Sequence, residues 1–247
     1  MVKLSVYMVV YNEELRIERT LQALQGIADE LIIVDSGSTD KTLEIAKRYH
    51  AKIYFHEWKS YCDQKHYAES LCTNEWVLLL DADEVISKEL LEEIKTIKKS
   101  PQYKAYKIKI VDMFPKDKKA SRYARQFNPV RLYSRKYGTM PEDKMNKDRI
   151  ELQEGVAIGQ MSNFIYHYSF LSIEQTLDKY NRHSTELQKT WKKEGKKVGW
   201  FRLVIEYPWQ FLHYYIGHRY IMRGKQGFIY ASLLAYFRFL KVAKSFE

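Results

Sequence analysis

The sequence predicts an α/β protein: a mainly parallel, doubly wound, Rossmann-like sheet followed by a helical C-terminal appendage. Three observations lead there. Four short apolar or β-branched runs, Leu4 to Val10, Leu31 to Val34, Lys52 to Phe55 and Trp76 to Leu80, alternate with three segments of helical periodicity. The fourth run has no polar alternation, as a central strand covered on both faces requires, and it stops at three carboxylates within four residues, Asp81, Asp83 and Glu84. From Phe170 onward the chain turns helical and basic, with 14 Lys and Arg against 6 Asp and Glu, which is +8 of the chain's +10. With 247 residues, 45% of them hydrophobic, one core of this kind can be filled, and we expect a domain over residues 1–169 and an appendage over 170–247.

Each element has a local reason. After the first strand come Tyr11-Asn12-Glu13-Glu14 and a helix with Ile17, Leu21 and Leu24 on one face, closed by Gly26. The second strand ends at Asp35, and Ser36-Gly37-Ser38-Thr39-Asp40 opens a helix bearing Leu43, Ala46 and Tyr49. The third helix is expected over Asp63 to Leu71, with Gln64 and Lys65 at its start, and Ser87 caps a fourth with Leu90, Leu91, Ile94 and Ile97 on one face, ended by Ser100-Pro101. Lys104 to Val111 alternates in the manner of a strand, and its lysines give it edge character. Residues 112–128, basic and bounded by Pro115 and Pro129, read as a solvated, mobile loop. Arg131-Leu132-Tyr133 reads as a strand, and Gly138 to Asp148 as a loop.

In a sheet of this topology ligands bind outside the carboxyl ends of the strands, where the polar clusters fall. Asp81 and Asp83 are two apart, a spacing that turns both side chains to one side of an extended backbone while Ala82 points away. Two hard carboxylate oxygens suit Mg²⁺ or Mn²⁺ when a diphosphate supplies further oxygens; the alternative is a solvated turn. The small residues behind Asp35 let backbone N–H groups approach an anion or a ribose, and Lys65 can offset phosphate charge; the alternative for Ser36 to Asp40 is an ordinary capped turn.

Val9-Val10-Tyr11-Asn12-Glu13-Glu14, Val34-Asp35-Ser36-Gly37-Ser38-Thr39-Asp40, Gln64-Lys65 and Leu80-Asp81-Ala82-Asp83-Glu84, in that order, resemble the inverting GT-A glycosyltransferases of family 2. Within that family the chain looks most like the small lipopolysaccharide-core glucosyltransferases of the WaaE type. The likeness continues more loosely through Arg131-Leu132-Tyr133, His167-Tyr168-Ser169 and Gly224-Lys225-Gln226-Gly227-Phe228. It implies a GT-A fold and transfer of a sugar from a UDP-sugar to a saccharide or glycolipid acceptor. Tyr11, Asn12 and Glu13, with Ser36 and Gly37, would lie at the nucleotide sugar, Asp35 would bond uracil or ribose, and Lys65 would sit near the base or diphosphate. Asp81 and Asp83 become the DxD pair, Asp83 as a ligand of Mn²⁺ or Mg²⁺, Asp81 on ribose or metal, with His167 similar to the histidine that completes the metal shell in many such enzymes. Glu84 follows in the family pattern, or else is a surface acid preceding a helix. An inverting transfer needs a carboxylate to take the acceptor's hydroxyl proton. Asp143 is the candidate, beside Glu142; the relatives usually show His-Glu here, so Glu142 stands where His is expected and Asp143 where Glu is.

Two rival classes fit less well. A sugar-phosphate nucleotidyltransferase would carry a Gly-rich basic phosphate loop where Tyr11-Asn12-Glu13-Glu14 is acidic. A nucleic-acid binder using the basic tail leaves the acids at the strand ends without a purpose, so no nucleic-acid partner is expected. Residues 200–240 hold 13 of the 36 aromatics, interleaved with Arg219, Arg223, Lys225 and Arg238, a mixture suited to an anionic membrane surface as well as to a helical cap or a dimer interface. Cys62 and Cys72 read as reduced, buried thiols, residues 1–10 lack the features of a signal peptide, and Phe228 to Phe237 is too short to span a bilayer. The expected location is therefore cytoplasmic, with peripheral attachment to the inner face of the inner membrane.

Overall fold

The computed structural model describes all residues except 116, 118, 143–148, 171 and 197. Its contacts divide into two compact units: Met1–Val111 with Gln126–Tyr168, and Asp112–Arg125 with Ser169–Glu247.

The first unit is built on one sheet. In chain order it comprises β1 (Leu4–Val10), α1 (Ile17–Ala23), β2 (Glu30–Asp35), α2 (Thr42–Arg48), β3 (Lys52–Phe55), α3 (Tyr61–Ser70), β4 (Trp76–Leu79), β5 (Glu84–Ile86), α4 (Lys88–Lys99), β6 (Ala105–Asp112), β7 (Gln126–Phe127), β8 (Val130–Ser134), β9 (Gly138–Thr139), β10 (Glu151–Leu152) and β11 (Ile158–His167). The order across the sheet is β3-β2-β1-β4-β8-β6-β11-β5, with β7 beside β6, while β9 and β10 form a separate antiparallel pair. β1 pairs in parallel with β2 and with β4, and β2 with β3. Beyond β4 the sheet turns antiparallel, through β8 against β4 and β6, and β5 against β11.

Period-two alternation decides which side chains fill which face. Val6 and Met8 of β1, Ile33 of β2 and Leu78 of β4 join Ile17 and Leu21 of α1 and Leu90 and Ile94 of α4 on one side. Tyr7, Ile32, Val34, Val77 and Leu79 face the other way, onto Ala68 of α3 and Cys72. The two cysteines are buried free thiols, and burial pushes that of Cys72 up to about 12. Helix starts follow the capping residues: Ser60 accepts from the Asp63 amide at 3.1 Å and Ser87 from that of Leu90 at 3.1 Å. α3 thus begins two residues before the expected Asp63.

β6 corrects one expectation. It lies inside the sheet between β8 and β11, not at an edge. Ala105, Tyr106, Ile108 and Ile110 are buried, while Lys107 and Lys109 are half-buried, their long stems lying along the sheet with Lys109 Nζ 5.9 Å from the ring of Phe164.

The second unit comprises α5 (Ile173–Lys193), α6 (Trp200–Leu212), a π-helical turn at His213–Gly217, a 3₁₀ turn at Tyr220–Arg223 and α7 (Gly224–Ala243), together with the segment 112–125. The described residues of 112–128 are not all the solvated loop expected. Met113 and Phe114 are buried, and the Phe114 ring lies 4.3 Å from Tyr230 and 5.3 Å from Tyr220 in an aromatic core that includes Phe170 and Tyr214. Arg223 clamps the segment, with its Cζ 4.0 Å above Phe114 and its Nη2 2.5 Å from Asp117 Oδ2. Gly227 is required by packing, because a Cβ there would stand 1.8 Å from the Tyr220 carbonyl oxygen. No helix among the described residues is long and apolar enough to cross a membrane.

Candidate active site

Two loops at the carboxyl ends of β1 and β2 are tied together by side chain to backbone bonds. The Asn12 amide donates to Ser38 Oγ at 2.9 Å, and Asn12 Oδ1 accepts from the Thr39 amide at 2.8 Å. The Glu13 amide donates to Thr42 Oγ1 at 2.7 Å and that of Glu14 to Asp40 Oδ2 at 3.1 Å. Asn12 adopts φ 54°, a left-handed conformation that asparagine tolerates better than most residues. Asp35, 4% exposed, accepts from the Gly37 amide at 2.9 Å, the Ser38 amide at 3.1 Å and Ser38 Oγ at 2.6 Å. It therefore fixes its own loop, and Gly37 at φ 107° allows the turn. Ser36 Oγ lies 3.3 Å from the Val10 carbonyl oxygen, and the Tyr11 ring is exposed beside it in sequence order.

The acids after β4 alternate with cations. Lys65, 1% exposed on α3, places Nζ 2.9 Å from Asp81 Oδ1. Arg131 on β8 places Nη2 2.7 Å from Glu84 Oε1 and 3.4 Å from Asp81 Oδ2, and Glu84 Oε2 accepts from the Asp81 amide at 3.0 Å. Arg16 reaches both Glu13 and Asp83, the latter at 3.3 Å. His167 Nε2 lies 3.5 Å from Asp83 Oδ1, and the Tyr168 amide donates to the Asp83 carbonyl at 2.8 Å. Burial alone would raise the Asp81 carboxyl, but Lys65 and Arg131 outweigh it and hold the group well below the usual carboxylate range. Glu84 moves the other way: burial, with Asp81 adding to it, raises its carboxyl against the pull of Arg131.

This arrangement divides the expected metal set. β4 ends at Leu79, and the Glu84 amide bonds back to the Asp81 carbonyl at 3.0 Å, so Asp81 and Asp83 stand on a turn and not on an extended strand. Ala82 points into the core, and its carbonyl accepts from Thr20 Oγ1 at 2.8 Å. Asp81 meets Lys65 and Arg131; Asp83 meets Arg16 and His167. Among the described residues no group of three His, Cys, Asp or Glu side chains is gathered to hold a metal ion by itself. Asp83 and His167 are the residues that could hold a divalent ion, since a carboxylate oxygen and an imidazole nitrogen are donors such ions accept.

Glu84 is 2% exposed, so the surface alternative is wrong; a β-bridge partner, His167, and the Arg131 bond draw it inward. Glu142 is exposed, and Asp143 lies outside the described residues. Arg16 and Arg131 were not singled out from the sequence as site residues. The signal for Arg131 was present, since one arginine within Val130-Arg131-Leu132-Tyr133 is a charge in a buried strand and demands carboxylate partners.

Comparison with known proteins gives the family and the fold. The model of glycosyl transferase family 2 matches residues 5–172. An uncharacterised glycosyltransferase of Rickettsia typhi is 39% identical over 99% of this chain and 87% of its own length. A lipopolysaccharide core biosynthesis glycosyltransferase of Rhizobium meliloti, LpsC, is 27% identical over 99% of this chain and 92% of its own length. Among solved structures, residues 1–349 of S. aureus TarS in complex with UDP superpose with a TM-score of 0.50 at 18% identity, covering 98% of this chain and 89% of that one, a likeness of fold.

Proposed function

Because the chain belongs to glycosyl transferase family 2 and has its GT-A fold, we propose that it transfers a hexose from a UDP-sugar, with inversion, to a saccharide of a bacterial envelope glycolipid such as lipopolysaccharide core. The observation that carries this reading is the alternating cluster of Lys65, Asp81, Arg131, Glu84, Asp83, Arg16 and His167 beside the loops of β1 and β2.

In this reading Tyr11, Asn12, Glu13, Asp35, Ser36 and Gly37 shape the nucleoside pocket. The bonds that Asn12 accepts from Thr39 and Asp35 from Ser38 fix it before the ligand arrives, which lowers the ordering cost of binding. Asp81, kept ionised by Lys65 and Arg131, serves the ribose, and Lys65 would offset diphosphate charge from behind Asp81. Asp83 and His167 would hold Mn²⁺ or Mg²⁺, which when bound neutralises charge on the departing UDP. Asp143 takes the proton from the attacking acceptor hydroxyl, with Glu142 as the neighbouring alternative. Since the sugar carbon is attacked opposite the diphosphate, no covalent enzyme intermediate is needed, and positioning with electrostatics carries most of the rate. The basic, aromatic second unit would keep the protein at the cytoplasmic face of the inner membrane, where such acceptors are built.

The test is thermal denaturation with a panel of UDP- and GDP-sugars, each with and without Mn²⁺. A ligand that binds only the folded state raises the melting temperature by mass action. A UDP-sugar that does so more strongly with Mn²⁺ supports the reading, and stabilisation by GDP-sugars alone would replace the donor assignment.

A further inference from the structure

A second concentration of charge lies in the second unit, and it is cationic. Lys196 Nζ, Arg202 Cζ and Lys241 Nζ stand 4.8, 5.6 and 4.1 Å from the ring centroid of Trp191, a buried residue at the end of α5. Arg238 lies one turn before Lys241 on α7, and its buried Nε has no hydrogen-bond partner among the described residues. The carboxylate that answers them is Glu206, which accepts from Arg202 Nε at 2.8 Å and Gln210 Nε2 at 3.2 Å. Among the described residues, the groups acting on Lys241 are three further cations, Arg238, Lys196 and Arg202, and one acid, Glu206, which leaves the cluster short of negative charge. Consistently, burial and the repulsion of Arg238, Lys196 and Arg202 push the Lys241 ammonium down to about 8.

Arg202 belongs to α6, and the outward half of that helix is apolar. Trp200, Phe201, Val204, Trp209 and Leu212 recur at steps of one to five residues around that half, and Trp200 is 71% and Trp209 62% exposed. Only Arg202 and Glu206 are charged in the whole helix, and Glu206 faces inward. A solvated helix would carry its polar residues on this side. Tyr207 of the same helix lines a cleft of about 430 Å³ with Leu177, Phe228, Leu233 and Tyr236, in which Ser232 is the polar member.

We propose that the second unit docks on an anionic bilayer, with the outward half of α6 lying in the interfacial region and Lys196, Arg202, Arg238 and Lys241 gathering around a lipid phosphate. Rings with adjacent cations are what that interface accepts, because aromatic faces settle at headgroup depth and the cations meet lipid charge. A second copy of the chain is the poorer occupant, since residues from Phe170 onward carry +8 and two such surfaces would repel. The proposal specifies the peripheral placement suggested above, but its test needs no sugar transfer, so either can fail alone.

The test is flotation of the full chain with neutral phosphatidylcholine vesicles and with vesicles that also contain phosphatidylglycerol, at low and high salt. The protein is expected to float with anionic vesicles, less so at high salt, and with a blue shift of tryptophan emission. Lys196→Gln with Lys241→Gln should weaken binding roughly 30-fold, the loss expected for two cations at an anionic surface. If that pair unfolds, Lys196→Gln alone serves, because its side chain is exposed. Trp209→Ser should remove the association that persists at high salt. No flotation with anionic vesicles, or flotation indifferent to the lysine substitutions, overturns the proposal. So does displacement of the bound protein by inorganic phosphate at constant ionic strength, which would mark a site for soluble phosphate, or a dimer in light scattering that Trp209→Ser dissolves.

Discussion

Lys65 Nζ lies 2.9 Å from Asp81 Oδ1, with the lysine 1% exposed on α3 and the aspartate just past the end of β4. A buried ammonium keeps its charge only with a carboxylate to meet it, so the pair joins the third helix to the fourth strand at the mouth of the site.

Lys65→Met is accordingly expected to destabilise the fold. Loss of one partner of a fully buried pair costs about 3–5 kcal/mol in general, and the value here should fall below that range because the Asp81 side chain is 31% exposed and still faces Arg131. Urea unfolding measures it, and Lys65→Met combined with Asp81→Asn should recover part of the loss. Equal stabilities for wild type and Lys65→Met would mean the pair is solvated.

A second electrostatic expectation concerns acid. Glu30 is buried, which alone would raise its carboxyl, but Lys52 at 2.8 Å, Ser5 Oγ at 2.5 Å and the Thr73 amide at 2.8 Å bring it from 4.5 to about 2. A carboxyl lowered on folding contributes stability that is complete above its unfolded value and is lost as pH falls through its folded one. Stability should therefore decline between about pH 4.5 and 2, and Glu30→Gln should be less stable at pH 7 yet flatter across that window. Thermal melts of both proteins from pH 7 to 2 check this, and parallel curves would contradict it.

The parallel half of the sheet was legible because each of its strands is an apolar run bounded by a helix signal, from Leu4–Val10 to Trp76–Leu79. The rest was harder for physical reasons. Lys107 and Lys109 marked β6 as an edge, although long aliphatic stems let lysines lie along an interior strand. Prolines and lysines hid Phe114, whose burial depends on Tyr220 and Tyr230 more than a hundred residues later. In the site, the spacing of Asp81 and Asp83 identified the acids but not their partners. A period-two argument assumes an extended backbone, and here the chain turns after Leu79. Arg16 and Arg131, which decide which acid meets which charge, come from a helix start and a distant strand.

Asp143→Asn is expected to keep UDP-sugar binding and lose transfer by about 10²–10⁴-fold, the usual cost of removing a general base. Binding by calorimetry and turnover by UDP release separate the two effects. An active Asp143→Asn beside an inactive Glu142→Gln would move the base by one residue, and activity in both would place it elsewhere.

Asp83 links Arg16, which precedes α1, to His167 of β11, and its proposed role as the metal-facing carboxylate is the centre of the functional account. The direct measurement is calorimetric titration of UDP into wild type and Asp83→Asn, each with and without Mn²⁺. The wild type is expected to bind UDP more tightly with Mn²⁺, and Asp83→Asn to remain folded and bind with the same weak affinity in both conditions. An undiminished Mn²⁺-dependent gain in Asp83→Asn, or a wild type that binds no UDP, would contradict the account.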